Sequence, residues 1–181
     1  MSSNIVLPDL PHYVQQRITA LYGAKTTEAF DDAFDAFVSE HATIRVNGTE
    51  MSRADYKALL QGQTATDTSE GIAGIVTVGS IVSVPSKSKD LNAIGTGSVG
   101  ISFDAEVFGR FFIFAERQSS TVASSLNVVV TKDVLPPPNP IGVRGGAFDG
   151  RRATVIDEVF TETANKITPP VVSVPPLQPA T

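Results

Sequence analysis

The chain has 181 residues, a net charge of −5 and a pI near 5.0, enough length for one domain with a sizeable core. The acidic balance argues against a nucleic-acid groove or an anionic membrane surface. The absence of cysteine excludes disulfides, thiolate nucleophiles and Cys-based zinc sites.

Apolar residues make up 41% and charged residues 18%, both low; Ser, Thr and Gly fill the gap, and with many Val and Ile they point to β structure. The N-terminus carries neither a basic n-region nor an apolar h-region. No apolar run approaches the ~18 residues of a membrane span. The expectation is a soluble, cytoplasmic protein, with the nucleus left open.

In chain order, Asp9 is placed to cap a first helix with Pro11 in its first turn. Leu10, Val14, Ile18 and Leu21 form its apolar stripe beside Tyr13, and Gly23 ends it. Thr26 or Thr27 caps a second helix that ends near Ser39. Phe30, Ala33, Phe34, Phe37 and Val38 share one side; Asp31, Asp32 and Asp35 fall on the other. The period then switches: Ala42, Ile44 and Val46 alternate with Thr43, Arg45 and Asn47, which is strand spacing. Asn47-Gly48 closes that strand in a turn. Ser52 and Asp55 resemble a capping box for a short third helix carrying Tyr56, Leu59 and Leu60 and ending at Gly62.

Residues 63–71 read as a polar loop, and from there the pattern is β. A strand over 72–84 stops at Pro85, and Ser86–Asp90 is a polar turn. Residues 92–108 form a long strand bent at Gly95, Gly97 and Gly100. Val99, Ile101, Phe103, Ala105 and Val107 lie on one face, with Ser102, Asp104 and Glu106 on the other. Gly109 reads as a turn, Arg110–Gln118 as a strand covered on both faces because Phe111–Phe114 is apolar throughout, and Ser119-Ser120 as a second tight turn. In 121–132 Val122, Leu126, Val128 and Val130 share a face. The proline-rich 134–150 stretch is an inserted loop, Ala153–Thr161 a last strand, and the segment 168–181 a Pro-rich extended tail dispensable for folding. The division is thus a single domain over 1–167 followed by that tail.

The order helix, helix, strand, helix, then long strands, with His41-Ala-Thr-Ile-Arg-Val-Asn-Gly48 at the helix-to-strand junction, resembles the nuclear-transport-factor-2-like superfamily. Within it the chain looks most like the polyketide-cyclase (SnoaL-like) and ketosteroid-isomerase-like branch, over roughly residues 9–161. The resemblance implies an α+β fold: a cone-shaped, curved, mostly antiparallel sheet wrapped around about three N-terminal helices. It also implies an apolar pocket inside the cone and a homodimer through the sheet. Isomerase members carry a base, usually Asp, at the end of the first strand; Val46 stands nearest here, with Asn47 beside it. Cyclase members use an Asp or His on a late strand or a helix, which makes His41 and Asp104 the candidates.

Each candidate has a plainer reading. His41 at a helix C-terminus serves the free carbonyls there, or acts as a pocket acid or base. His12 reads as a surface residue. Tyr13, Tyr22 and Tyr56 are core residues at helix edges, or hydrogen-bond donors to a ligand carbonyl. Asp104 and Glu106 oppose the apolar face of their strand and so point to solvent or a dimer partner, although two carboxylates at i, i+2 also suit acid–base work. Asp31, Asp32 and Asp35 are a solvated helix face, and no metal site or cofactor is implied. Gly95-x-Gly97-x-x-Gly100 has the letters of a dinucleotide fingerprint but precedes a strand, so its phosphate-binding mechanism is missing.

Two functions follow. In one, the cone binds a small hydrophobic molecule and turns it over by proton transfer as a cyclase, isomerase or dehydratase. Tyr13, His41 and Tyr56 are then the polar groups on a wall that includes Phe30, Phe34, Phe103 and Phe112. In the other, the cone is filled and the protein is a non-catalytic homodimeric binding or scaffold module. A cavity of a few hundred Å3 beside a buried, perturbed titratable group separates the two.

Overall fold

A computed structural model describes residues 7–64, 73–87, 95–113, 116–134 and 149–167. The expected polar loop after residue 64, most of the Ser86–Asp90 turn, most of the 134–150 insert and the tail lie outside them. The elements are α1 (Leu10–Tyr22), α2 (Thr27–Phe37), β1 (Val38–Val46), β2 (Thr49–Met51), α3 (Arg53–Thr64), β3 (Ile75–Pro85), β4 (Gly97–Ile113), β5 (Glu116–Lys132) and β6 (Arg151–Ala164). They form one sheet in the order β2-β1-β6-β5-β4-β3. All neighbours are antiparallel except β1 and β6, which run parallel.

The local signals behave as their chemistry requires. The Asp9 side chain accepts from the His12 N–H at 3.0 Å, and the Thr26 hydroxyl from the Ala29 N–H at 3.1 Å, so two helix starts are capped. Ser52 Oγ accepts from the Asp55 N–H at 3.1 Å and donates to its carboxylate at 2.6 Å, which fixes the start of α3. Asn47 and Gly48, at φ 49° and 81°, make the tight turn that pairs β1 with β2.

The helices cover one face of the sheet. α1 packs on β3 and β4, α2 on β1 and β6, and α3 touches both β1 and β4. Those last two strands stand three places apart in the sheet, about 14 Å if it were flat. One helix about 10 Å across reaches both because the sheet curves around it. Register shifts in four of the strand pairs supply the bends. The core fills this concave side: Val14, Phe30, Phe34 and Phe37 meet Val99, Ile101, Phe103, Ala105, Val122, Leu126 and Ile156.

Several expected boundaries move. Phe37 ends α2 and Val38 starts β1 with no gap, so His41 lies in a strand and not at a helix end. It sits in the irregular stretch where β1 loses register with β6, between Val38 and Thr43. Gly109 makes no turn: β4 continues through it to Ile113. Ser119 and Ser120 lie inside β5, paired with Phe108 and Val107. The three strands expected over 92–132 are two, β4 and β5: residues 110–113 of the expected Arg110–Gln118 strand belong to β4 and residues 116–118 to β5. α3 passes Gly62 and ends at Thr64.

Candidate functional site

Among the described residues, the concave face carries one buried carboxylate. Glu158 is 2% exposed on β6. The Tyr56 hydroxyl of α3 donates to it at 2.8 Å, and the Ser124 hydroxyl of β5 donates to its other oxygen at 2.6 Å. The Tyr56 ring packs against Phe34, whose centroid is 6.1 Å away. Burial pushes the Glu158 carboxyl up, against the pull of its two hydroxyl partners. Burial likewise pushes the Tyr56 phenol well up, with the Glu158 charge acting in the same direction. The three side chains come from three elements that only the folded sheet brings together.

Glu158 is the strand neighbour of Val46 across the parallel β1–β6 pair. Val46 is the position at which the resemblance places a base and this chain has none. A carboxylate therefore stands one strand over from the empty position, on the buried face. The sequence signal for it is weak. Ile156, Glu158 and Phe160 alternate with Val155, Asp157 and Val159, so each face of β6 holds two apolar residues and one acid.

Beside the C-terminal end of α3 the face opens. A groove of about 470 Å3 is lined by Gln63, Val107, Phe111, Gln118, Ser120 and Glu162, among others. Gln63 accepts from the Tyr22 hydroxyl at 3.1 Å, and Ser120 donates to Glu162 at 2.7 Å. The Tyr22 phenol is pushed up, first by burial and then by the charges of Glu158 and Glu162. The Tyr22 ring meets Phe103 edge-on at 5.7 Å. Two polar pairs thus stand behind the groove, Tyr22 with Gln63 and Tyr56 with Glu158.

The predicted site residues divide. Tyr56, Phe30, Phe34 and Phe103 lie together on the concave side, all buried. Tyr13 lies at the other end of the cone, where its hydroxyl donates to the Arg151 carbonyl and its ring faces the Arg151 guanidinium at 4.2 Å and that of Arg17 at 5.0 Å. Arg151, 3% exposed, is clasped by Asp149 at 2.9 and 2.8 Å and donates to the carbonyls of Pro8 and Gly95. Burial alone would raise the Asp149 carboxyl, but the Arg151 hydrogen bonds and the Arg151 and Arg17 charges outweigh it and hold it low.

Phe112 does not join the wall. It lies near the tip of the β4–β5 hairpin, 61% exposed, with Arg117 stacked on it at 4.7 Å. The continuous apolar run there is not a doubly covered strand within this chain; Phe111 and Ile113 are exposed as well. Asp104 is exposed on the convex side, as the alternation required. His41 is also exposed, in a separate polar groove with Asp35, Glu40, Arg53, Asp133 and Arg152. The structure brings neither residue to Glu158. Among the described residues no cluster of three or more His, Asp or Glu is arranged to hold a metal. Nor is any helix among them long and apolar enough to cross a membrane.

The element order and sheet topology make an α+β architecture, a curved mixed sheet over three helices. No protein-family profile matches the chain, and no curated protein matches it. Among solved structures it is similar to an NTF-2-like protein of unknown function from Pseudomonas aeruginosa, at 10% identity and a TM-score of 0.39, over 83% of this chain and 94% of that one. The α+β description rests on this chain's own strand order and helix placement.

Proposed function

We propose that the protein binds a small, largely apolar molecule in the groove of the concave face beside α3, with Glu158 as the group that exchanges a proton with it. The observation that carries the reading is the buried Glu158 carboxylate on that face, neighbour to Val46 and held by Tyr56 and Ser124. A carboxyl whose proton affinity is raised by burial serves as acid or base at neutral pH better than an exposed one. Two hydroxyls fix its orientation, and the Phe34 and Phe103 rings supply apolar surroundings. The chemistry such a group suits is proton transfer beside a carbonyl, as in cyclisation, isomerisation or dehydration. The test is native mass spectrometry of the purified full chain before and after denaturation. A small-molecule adduct is expected, reduced in Glu158→Leu and retained in His41→Ala. An adduct of equal abundance in both variants overturns the role of Glu158, and a bare chain under gentle conditions overturns the binding reading.

A second reading has its own observation. Phe30, Phe34 and Tyr56, and Tyr13 at the other end, are almost completely buried, so the interior of the concave side is filled with side chains. A filled cone suits a non-catalytic module that pairs with a second copy through the convex sheet face, where Val82, Val84 and Val159 are exposed. Sedimentation at micromolar concentration tests it: a dimer supports the pairing and a monomer removes it.

A further inference from the structure

The convex face of the sheet is a trough, not a plane. Its rows follow from the registers. Val84, Ser98, Val129 and Val155 make one row, and Val82, Gly100, Asn127 and Asp157 the next. Ser80, Ser102, Ser125 and Val159 make a third, and Thr77, Asp104, Ala123 and Thr161 a fourth. The two central strands contribute small side chains at Ser98, Gly100, Ser102, Ala123 and Ser125. The flanking strands contribute Val82 and Val84 on one side and Val155 and Val159 on the other, all exposed. Two hollows of about 380 and 360 Å3 lie end to end along this floor. From Ser98 to Asp104 the trough is about 20 Å long.

The chain leaves the sheet at one end of it. Asn165 follows β6, and its backbone N–H donates to the Ser119 carbonyl at 2.9 Å. Its side chain accepts from Thr121 at 3.0 Å and donates to Ser119 Oγ at 2.9 Å. Ser119 and Thr121 alternate with the buried Val122 and Ser124 and so belong to the convex side. The exit is therefore held on the trough's side of the sheet.

We infer that the trough seats the chain's own C-terminal segment, Thr168–Thr181. That segment has no charged side chain and five prolines, with Val171, Val172, Val174 and Leu177 between them. Fourteen residues of extended, proline-stiffened chain span about 43 Å, twice the length of the trough. Val172-Ser173-Val174-Pro175 repeats Val82-Ser83-Val84-Pro85 of the trough's own wall. An extended chain puts such a pair of valines on one side, toward a floor of Gly and Ser. The uncharged segment also fits where a second copy of the sheet does not. Asp104 and Glu106 share this face with an Arg45–Asp157 pair at 3.9 Å, and pairing two such faces takes these charges out of water. A seated tail and a sheet-to-sheet dimer exclude one another.

The absence of cysteine makes the test clean. In the full chain, Val172→Cys is combined in turn with Ser125→Cys in the trough, Gln118→Cys in the concave groove near the exit, or Glu28→Cys on the helical side. Under mild oxidation the Ser125 pair is expected to close within one chain, independent of protein concentration and about tenfold faster than either control. Equal rates, a faster Gln118 pair, or a disulfide between chains overturns the inference. A second measurement does not depend on the pair. The single Ser125→Cys thiol should label about tenfold faster in a chain ending at Ile167 than in the full chain. Unchanged labelling in a folded truncation also overturns it.

Discussion

The concave and convex faces of this sheet are made by the same strands, residue by residue in alternation, yet they hold opposite kinds of side chain. The concave face carries the large groups, Phe103, Leu126, Ile156 and the aromatic residues of three helices, packed around the buried Glu158 carboxylate. The convex face carries Gly, Ala, Ser, Thr and Asn between exposed valines. The difference teaches what each kind of surface can do. A buried face can shift a proton affinity because water is excluded. An open face of small side chains can only receive something laid on it.

That contrast can be broken first at its strongest point. Phe34→Ala empties the centre of the concave packing, between Phe30 and Tyr56, and is expected to cost about 3–5 kcal/mol in urea unfolding. An unchanged midpoint would mean that the concave core is not continuous. Arg151→Met removes the guanidinium donor from the Asp149 carboxylate and the Pro8 and Gly95 carbonyls, and about 3 kcal/mol should be lost by the same measurement. Asp149 titrates below its ordinary value, so the clasp's stabilisation is present above the unfolded carboxylate pKa and fades as pH falls through the folded one. The stability gap between wild type and Arg151→Met should therefore narrow in acid.

Glu158 sharpens the comparison because its sign is the reverse. Its folded pKa is raised, so its contribution is full below the unfolded carboxylate pKa, near 4.3, and is lost as pH rises through the folded value. Glu158→Gln should gain stability relative to wild type from acid to neutral pH, and a flat difference would show that the carboxylate is hydrated. Glu158→Leu leaves the Tyr56 and Ser124 hydroxyls without an acceptor and is expected to cost about 1–3 kcal/mol. On the convex side Val82→Thr, at a position 69% exposed, should move stability by no more than about 0.5 kcal/mol. A larger loss in the full chain, absent in a chain ending at Ile167, would locate the tail on that valine.

The helices and their caps were legible in the sequence because the signals are local. Asp9, Thr26 and the Ser52–Asp55 pair act on backbone within one turn of themselves. The alternation of β4 from Val99 to Val107, which sends Asp104 outward, was equally plain. The β4–β5 hairpin was misjudged because Gly109 and Ser119-Ser120 have the composition of turns. Cross-strand pairing overrode that composition and carried the ladder through both. His41 was misplaced by a few residues because the change from helical to strand spacing falls inside Phe37–Ala42, where either period fits.

The site itself was only half legible. Tyr56, Phe30, Phe34 and Phe103 announce themselves as large residues on apolar stripes, and a stripe is a property of one segment. Glu158 does not, since on β6 it is indistinguishable from Asp157 until one face of the strand is buried. What the amino-acid sequence determined by itself is everything that depends on neighbours along the chain: which segments are helices, where they start, and the alternating strands that make an α+β fold. What only the tertiary structure decided is which face of each strand meets the helices. Burial is set by elements far apart in sequence, and it is burial that turns one ordinary glutamate into the titratable centre of the cone.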